Sequence, residues 1–338
     1  PDGLRPAIAA AQAEHTPVVL VVASSREAED TVNALRSWYG GDPNDIAQLE
    51  AWETLPHERL SPRADTVASR MAVFRSHAPS DTNPMFGPIR ILVMPVRSLI
   101  QPVVKGLGDV DPLVFTQGEE LPLDDVSRRL VENAYTRVDL VMDRGEFAVR
   151  GGIIDVFPPT APHPVRIEFF GDEIDSIREF HASDQRTYGE GVRTIWATPC
   201  RELQLTDAVR DRAKRLIGRF RMRRHAGVHR ERDSHRRHGI PDARAHRRHG
   251  TRDRHARQAC VIQCYADPEK LRRAADDLSK TANEFLAASW HVAAAGHGAG
   301  APISFDQASF LDYEETINSL AYSSHDVWTS PVSAWTPR

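Results

Sequence analysis

The chain has 338 residues with 43 Lys and Arg against 47 Asp and Glu, a formal net charge of −4, and three cysteines. That length accommodates two or three domains and a sizeable core. No run of about 18 apolar residues occurs, and the first residues lack a basic stretch leading into an apolar one, so we expect neither a membrane span nor a signal peptide, and a soluble cytoplasmic protein. Cys200, Cys260 and Cys264 are too few and too unevenly spaced for a disulfide framework, which makes reduced thiols the expectation.

In chain order, residues 4–13 read as a helix, 18–23 as a buried strand, and Ser24 or Ser25 as the cap of a helix to about Trp38, with Glu27 and Glu29 in its first turn. Ser61-Pro62 supplies a cap and a first-turn proline for a helix through Met71 and Phe74, and residues 89–94 form a β-rich run ending at Pro95. Strands alternating with helices predict an α/β fold with a parallel sheet. We expect residues 1–115 to form a degenerate RecA-like domain, related to the P-loop NTPase fold, whose first strand lies before the chain. No G-x-x-x-x-G-K-[S/T] phosphate loop occurs, and the opening Pro1-Asp2-Gly3-Leu4-Arg5 lacks its lysine, so ATP hydrolysis is not expected here.

A short helix is predicted over 124–134, where Val126, Leu130 and Ala134 recur every fourth residue. From Phe147 the alternation of Phe147, Val149, Gly151 and Ile153 against Arg150, Gly152 and Ile154 predicts one strand, stopped by Pro158-Pro159. Val165, Ile167 and Phe169 alternate with Arg166, Glu168 and Phe170, and Gly171-Asp172 turns the chain into a strand over 173–180. These runs predict an antiparallel meander inside a small α+β module inserted into the parallel-sheet domain. Asp184-Gln185-Arg186 closes it as a polar turn.

Residues 221–257 break the pattern, holding thirteen Arg, seven His and four acidic residues with no Lys and no Leu. No helix or strand face can be buried with that composition, so 221–258 is expected to be disordered. The rest of the chain then holds 30 basic and 43 acidic residues, an acidic body unsuited to broad nonspecific DNA binding. Three readings compete for the segment: a basic arm for nucleic acid, a histidine-rich metal tract, and a translated wrong reading frame. A metal site wants fixed ligand spacing with supporting partners, and natural basic arms mix Lys with Arg. A one-base step through a GC-rich back-translation of the stretch, chosen within codon degeneracy, yields apolar residues at helical spacing. We therefore read it as a frameshifted stretch between compensating indels.

Beyond it, 261–265 predicts a strand, and Asp267 caps a helix begun by Pro268 and Glu269 that runs to about Trp290 with Leu271, Leu278 and Phe285 inward. Residues 291–300 read as an Ala/Gly/His loop. Cys260-x3-Cys264 with His255 has the wrong spacing for a zinc ribbon and reads as core thiols. The chain is expected to be a fragment of a longer protein.

Two stretches carry a resemblance. Arg144-Gly145-Glu146-Phe147-Ala148-Val149-Arg150-Gly151-Gly152-Ile153-Ile154-Asp155, with Val165-Arg166-Ile167-Glu168-Phe169-Phe170-Gly171-Asp172-Glu173-Ile174, resembles the domain that transcription-repair coupling factors share with the excision-repair protein UvrB. Trp52-Glu53-Thr54-Leu55-Pro56-His57-Glu58-Arg59-Leu60-Ser61-Pro62 and Pro95-Val96-Arg97-Ser98-Leu99 are similar to the preceding part of the coupling factors. The resemblance implies a UvrA-interaction domain at 118–205, flanked by the degenerate domain 1a (1–115) and by the parts of domain 1b at 206–220 and 259–338. It also implies an adaptor that recruits UvrA to transcription-coupled excision repair, with the ATP- and magnesium-dependent motor, the RNA polymerase contact and double-stranded DNA binding elsewhere in the longer protein. No catalytic residue, cofactor or metal is expected in this chain.

In the family the arginines of this sheet contact UvrA, and the resemblance assigns that role here to Arg137, Arg144, Phe147, Arg150 and Arg166. The planar guanidinium fork suits carboxylate recognition, and a solvated sheet face is the bland alternative for each. Trp52, His57, Glu58 and Arg59 lack a nucleophile or metal set beside them and read as packing and loop capping. Two other functions compete with the adaptor: a UvrB-type DNA helicase subunit, and a basic nucleic-acid-binding protein whose reading depends on 221–258 being genuine. Resequencing the gene across codons 215–265 is expected to reveal the paired indels; a confirmed, uninterrupted frame would leave the basic arm standing.

Overall fold

The computed structural model describes residues 2–55, 58, 60–76, 89–104, 107–204, 207, 209–216, 262–294, 310–323 and 327–330. The Arg/His-rich stretch, His57, Arg59, Cys260 and the expected loop beyond Ala294 lie outside them. The chain divides into a unit of residues 1–203 with 259–338 and a second unit of residues 204–258, in which 209–216 is helical.

At the centre of the first unit is β1 (Val18–Val22), whose five consecutive apolar residues suit a parallel strand covered on both faces. It pairs in parallel with β3 (Ile91–Pro95) on one side and β11 (Ile262–Ala266) on the other. With β2 (Ile46–Gln48) beyond β3 and β12 (Val327–Ser330) beyond β11, five parallel strands lie in the order β12-β11-β1-β3-β2. The expected α/β class and parallel sheet are both present.

Helices α1 (Arg5–Ala13) and α2 (Ser25–Trp38) cover one face. Their Ala9, Ala10, Ala13 and Ala28 pack with Leu35 against Leu20, Val22 and Val93. Ser24 caps α2 as expected, its hydroxyl accepting from the amide of Glu27 at 3.2 Å. Against the other face lie α4 (Val96–Ile100), α6 (Pro268–Ala294) and α7 (Tyr313–Ser323). In α6 the buried residues are Leu271, Ala275, Ala282 and Leu286, a spacing that keeps one stripe inward. Phe285, expected inward, is instead substantially exposed, because Leu286 one position on takes the core-facing place.

Helix α3 (Ala64–Ser76) starts two residues later than Ser61-Pro62 suggests, and the amide of Val67 donates to the Arg63 carbonyl as its first turn closes.

The chain leaves this layer after α4 and returns through a two-stranded antiparallel ribbon of β4 (Leu113–Thr116) and β10 (Thr194–Ala197). Between them come α5 (Leu123–Glu132) and a second sheet of β5 (Thr136–Arg137), β6 (Glu146–Arg150), β7 (Ile153–Val156), β8 (Val165–Phe170) and β9 (Glu173–Glu179), in sequential order. β5 pairs in parallel with β6, and every other pair is antiparallel. Val126 and Leu130 of α5 pack onto Phe147, Ile154, Ile167, Ile174 and Ile177 to form its core.

One expectation is corrected here. The run from Phe147 to Phe157 is a hairpin, not a single strand, because Gly151 turns the chain at φ +60° and Gly152 lies so close to the Phe169 carbonyl that a Cβ would sit 3.2 Å from it. The turn reverses the alternation: Val149 pairs with Ile154 on the core side, while Asp155 joins Ala148 and Arg150 on the other.

Cys200 is buried at the edge of this core, and burial pushes its thiol up to about 12. Burial also raises the Cys264 thiol. A thiol held neutral and out of solvent is a poor nucleophile. At neutral pH, iodoacetamide is expected to leave Cys200 unmodified in the folded chain and to alkylate it in denaturant, as read by mass spectrometry; modification of the folded chain would contradict the burial.

Candidate functional site

The sheet face turned away from α5 holds the candidate site. Register places Arg150 of β6, Ile153 and Asp155 of β7, and Arg166 and Glu168 of β8 on this face. At one end it is closed by a small second core in which Val141, Phe157 and Phe180 cover Ala148. Gln185, at φ +60° in the polar turn after β9, locks that closure by donating from Nε2 to the Val141 carbonyl at 3.1 Å.

The electrostatic centre is Asp155, whose side chain is 0% exposed. Arg166 grips it with two bonds, Nε to Oδ1 at 2.7 Å and Nη2 to Oδ2 at 2.9 Å, while Arg150 Nη2 donates to Oδ2. Its carboxylate raises the Arg166 pKa through this hydrogen bond, against the opposing effect of burial. Arg166 is further committed: its guanidinium lies over the Phe180 ring at 5.0 Å and its side chain is only 19% exposed. Arg150 remains 47% exposed. The two arginines thus differ, Arg166 neutralising the buried carboxylate and Arg150 offering its outer N–H groups to solvent.

The other expected residues do not all join them. Arg137, on edge strand β5, is exposed and lines a cleft with Val138, Asp139, Val149 and Arg150, although its register partner is Phe147 and it therefore belongs to the opposite side of the sheet plane. Arg144 stacks over Phe157 at 5.2 Å, donates to the Ala161 carbonyl at 3.3 Å, and lines a separate cleft with Arg63, Asp65 and Thr160. Phe147 is corrected outright as a surface residue: it is fully buried in the core between sheet and α5. Its ring lies on the side of Val149 in the alternation of β6, the side that packs on α5.

A residue missed at the sequence level takes that place. Phe170, at the end of β8 before the Gly171-Asp172 turn, is 82% exposed. The bulge between Glu168 and Phe169 leaves Phe169 paired with Ile174 on the core side, so Phe170 emerges on the face of Arg166 and Glu168. Its signal lay in the doubled aromatic: in an alternating strand only one of Phe169 and Phe170 can face the core.

Among the polar residues of the loop after β2, the Glu58 carboxylate accepts from the Leu55 amide at 2.7 Å, and Trp52 Nε1 donates to Glu202 at 2.8 Å. Among the described residues no group of three His, Cys, Asp or Glu side chains could hold a metal ion, and no helix is long and apolar enough to cross a membrane.

The fold and face define a small α+β domain with an open arginine-bearing sheet face, carried on a parallel α/β layer. Its residues 113–202 match the family model described as the UvrB interaction domain. Over 345 aligned residues the chain is 41% identical to the transcription-repair-coupling factors of Mycobacterium bovis and Mycobacterium tuberculosis, covering 97% of this chain and 28% of each relative. The coupling factor of Myxococcus xanthus is 37% identical over 204 residues, 58% of this chain and 16% of its own length. The chain belongs to the transcription-repair-coupling factor family and spans little more than a quarter of the length of its mycobacterial relatives.

Removing one partner of a buried ion pair costs about 3–5 kcal/mol, whereas a half-exposed arginine contributes about 1 kcal/mol or less. Arg166→Ala is therefore expected to destabilise the chain by roughly 3 kcal/mol in urea titration and Arg150→Ala by less than about 1 kcal/mol. Equal losses would mean that the two arginines share Asp155 evenly.

Proposed function

We propose that the open face of the β6–β9 sheet recruits UvrA, making this chain the adaptor part of a transcription-repair-coupling factor. The observation that carries the reading is the pairing of a half-exposed Arg150, held in place by buried Asp155, with an aromatic ring, Phe170, standing 82% exposed on the same face. An arginine and an uncovered aromatic on one face match the residue types that dominate binding energy at protein interfaces. The partner surface this face fits is an apolar pocket rimmed by carboxylates, since the free guanidinium edge offers a planar fork of donors. Arg137, across the shared edge cleft, extends the cationic margin of the face, while Arg166 acts from behind by holding the carboxylate that orients Arg150.

The longer protein, in this reading, couples RNA polymerase stalled on damaged DNA to excision repair and carries its ATP-driven motor outside this stretch. In this reading the part of this chain is recruitment, and catalysis belongs to the motor. A UvrB-type helicase subunit is disfavoured because the relatives that align over 97% of the chain are transcription-repair-coupling factors.

Arg150→Glu is a poor test of this surface, because it would set a second carboxylate against buried Asp155. Arg150→Ala and Phe170→Ala are cleaner, since Arg166 continues to neutralise Asp155 and the Phe170 ring lies outside the core. Each is expected to weaken UvrA binding at least about tenfold, near 1.4 kcal/mol, in titration calorimetry, with an unchanged melting curve. Wild-type affinity in both variants would remove the assignment.

A further inference from the structure

The β4–β10 ribbon, four residue pairs long, carries the chain into and out of the second sheet domain and is packed into that domain's core through Leu113, Phe115, Ile195 and Ala197. Outside the ribbon only the two crossing segments join that domain to the parallel layer through the chain, and by themselves they would leave it free to hinge. Beside its base, however, lies a buried knot. Arg70 of α3, 0% exposed, donates from Nε to Glu202 Oε1 at 2.6 Å and from Nη1 to the Glu50 carbonyl at 2.6 Å. Its guanidinium lies 5.4 Å from the centre of the Trp52 ring and 5.8 Å from that of Phe74. Trp52 Nε1 donates to the same Glu202 oxygen at 2.8 Å, and its backbone amide donates to Gln101 Oε1 at 3.0 Å.

These residues come from four places in the chain. Glu50 and Trp52 follow β2, Arg70 is on α3, Gln101 ends α4 where the chain departs, and Glu202 lies just past β10 where it returns. Helix α3 makes further contacts on both sides of the junction. Arg75 bonds the outgoing segment through the Val110 carbonyl at 2.9 Å and Asp111 at 2.6 Å. Ala64, at the other end, packs so near Gly145 of the inserted domain that a Cβ on that glycine would sit 3.2 Å from it.

We propose that the Arg70–Glu202–Trp52 knot converts the junction from a hinge into a strut, so that the inserted domain and the parallel layer move as one body. Energetics favour orientation over stability as its role. Arg70 Nη2 and Glu202 Oε2 find no hydrogen-bond partner among the described residues. A buried ion pair that is incompletely satisfied gains little net stability over an apolar replacement. What it does impose is geometry: displacing Glu202 from Arg70 strands a charge in the interior, so small rotations about the ribbon are penalised steeply. The inference holds whatever molecule docks on the β6–β9 face.

The test is pulsed electron-spin distance measurement on the full chain, with Cys200, Cys260 and Cys264 replaced and labels at Glu29→Cys on α2 and Asp172→Cys in the β8–β9 turn, both exposed. With Arg70 and Glu202 in place the distance distribution should be narrow. Glu202→Gln should broaden it at least about twofold, toward the mobility that is the default for linked domains. If that variant fails to fold, Arg70→Met with Glu202→Leu, which fills the space without burying a lone charge, replaces it and should also be broad. A distribution as narrow as that of the parent in a folded variant overturns the proposal, as does a broad one in the parent. UvrA affinity enters neither outcome, so failure of the strut is distinct from failure of the docking face.

Discussion

Much of the inserted domain's outer surface follows from one buried carboxylate. Asp155 lies on the strand that both flanks Arg150 across a hairpin and pairs with Arg166 on the next strand. An isolated ionised carboxylate in that position would be costly, and the two guanidinium groups, Arg166 above all, offset that cost. Their order matters. Arg166 uses both faces of its fork on Asp155 and lays its plane on Phe180, tying the sheet to its small second core. Arg150 needs only one contact and keeps the rest of its donors outward.

The parallel layer plays a different part. Its central strand is apolar on both sides and its helices pack through alanines on one face and through Leu271, Ala275 and Ala282 on the other, a composition that makes a stiff base. From this base the inserted domain departs and returns on adjacent strands, which keeps the cost of the insertion to the ordering of one short ribbon. Helix α3 belongs to the base by its position in the chain, yet its polar residues are spent on the junction: Arg70 on Glu202, Arg75 on Val110 and Asp111. That use explains a fully buried arginine in a helix that would otherwise need only an apolar stripe.

Secondary structure was largely legible in the sequence because its signals are local. Ser24 before Glu27, the unbroken Val18–Val22 run and the Gly171-Asp172 turn each specify their element within a few residues. The errors came where two local rules compete. Gly151-Gly152 satisfies an alternating pattern equally well as strand interior or as turn, and only the close approach of the Phe169 carbonyl decides for the turn. Reading it as strand put Ile153 on the core side and Ile154 opposite, the reverse of what the hairpin gives. Phe285 and Leu286 are likewise interchangeable to a period count, and only burial in the fold chooses between them. The Arg70–Glu202 pair was not legible at all, since its partners stand 132 residues apart.

The candidate face shows why an arginine count was a poor guide to the site. Arginine is expensive to immobilise, because its long side chain carries up to about 2 kcal/mol of rotamer entropy. A binding surface gains when that cost is met within the folded chain instead of on docking. Arg150 meets this condition, because buried Asp155 fixes one end of its fork while the other end stays in solvent. Arg144 is also fixed, but by Phe157 and the Ala161 carbonyl, and it faces another cleft; Arg166 is fixed so completely that little of it remains to be offered. Phe170 meets the same condition differently, as a stiff ring at the end of a paired strand that loses little freedom when covered. Preorganisation, and not the number of cations, singles out the Arg150 and Phe170 corner of the sheet.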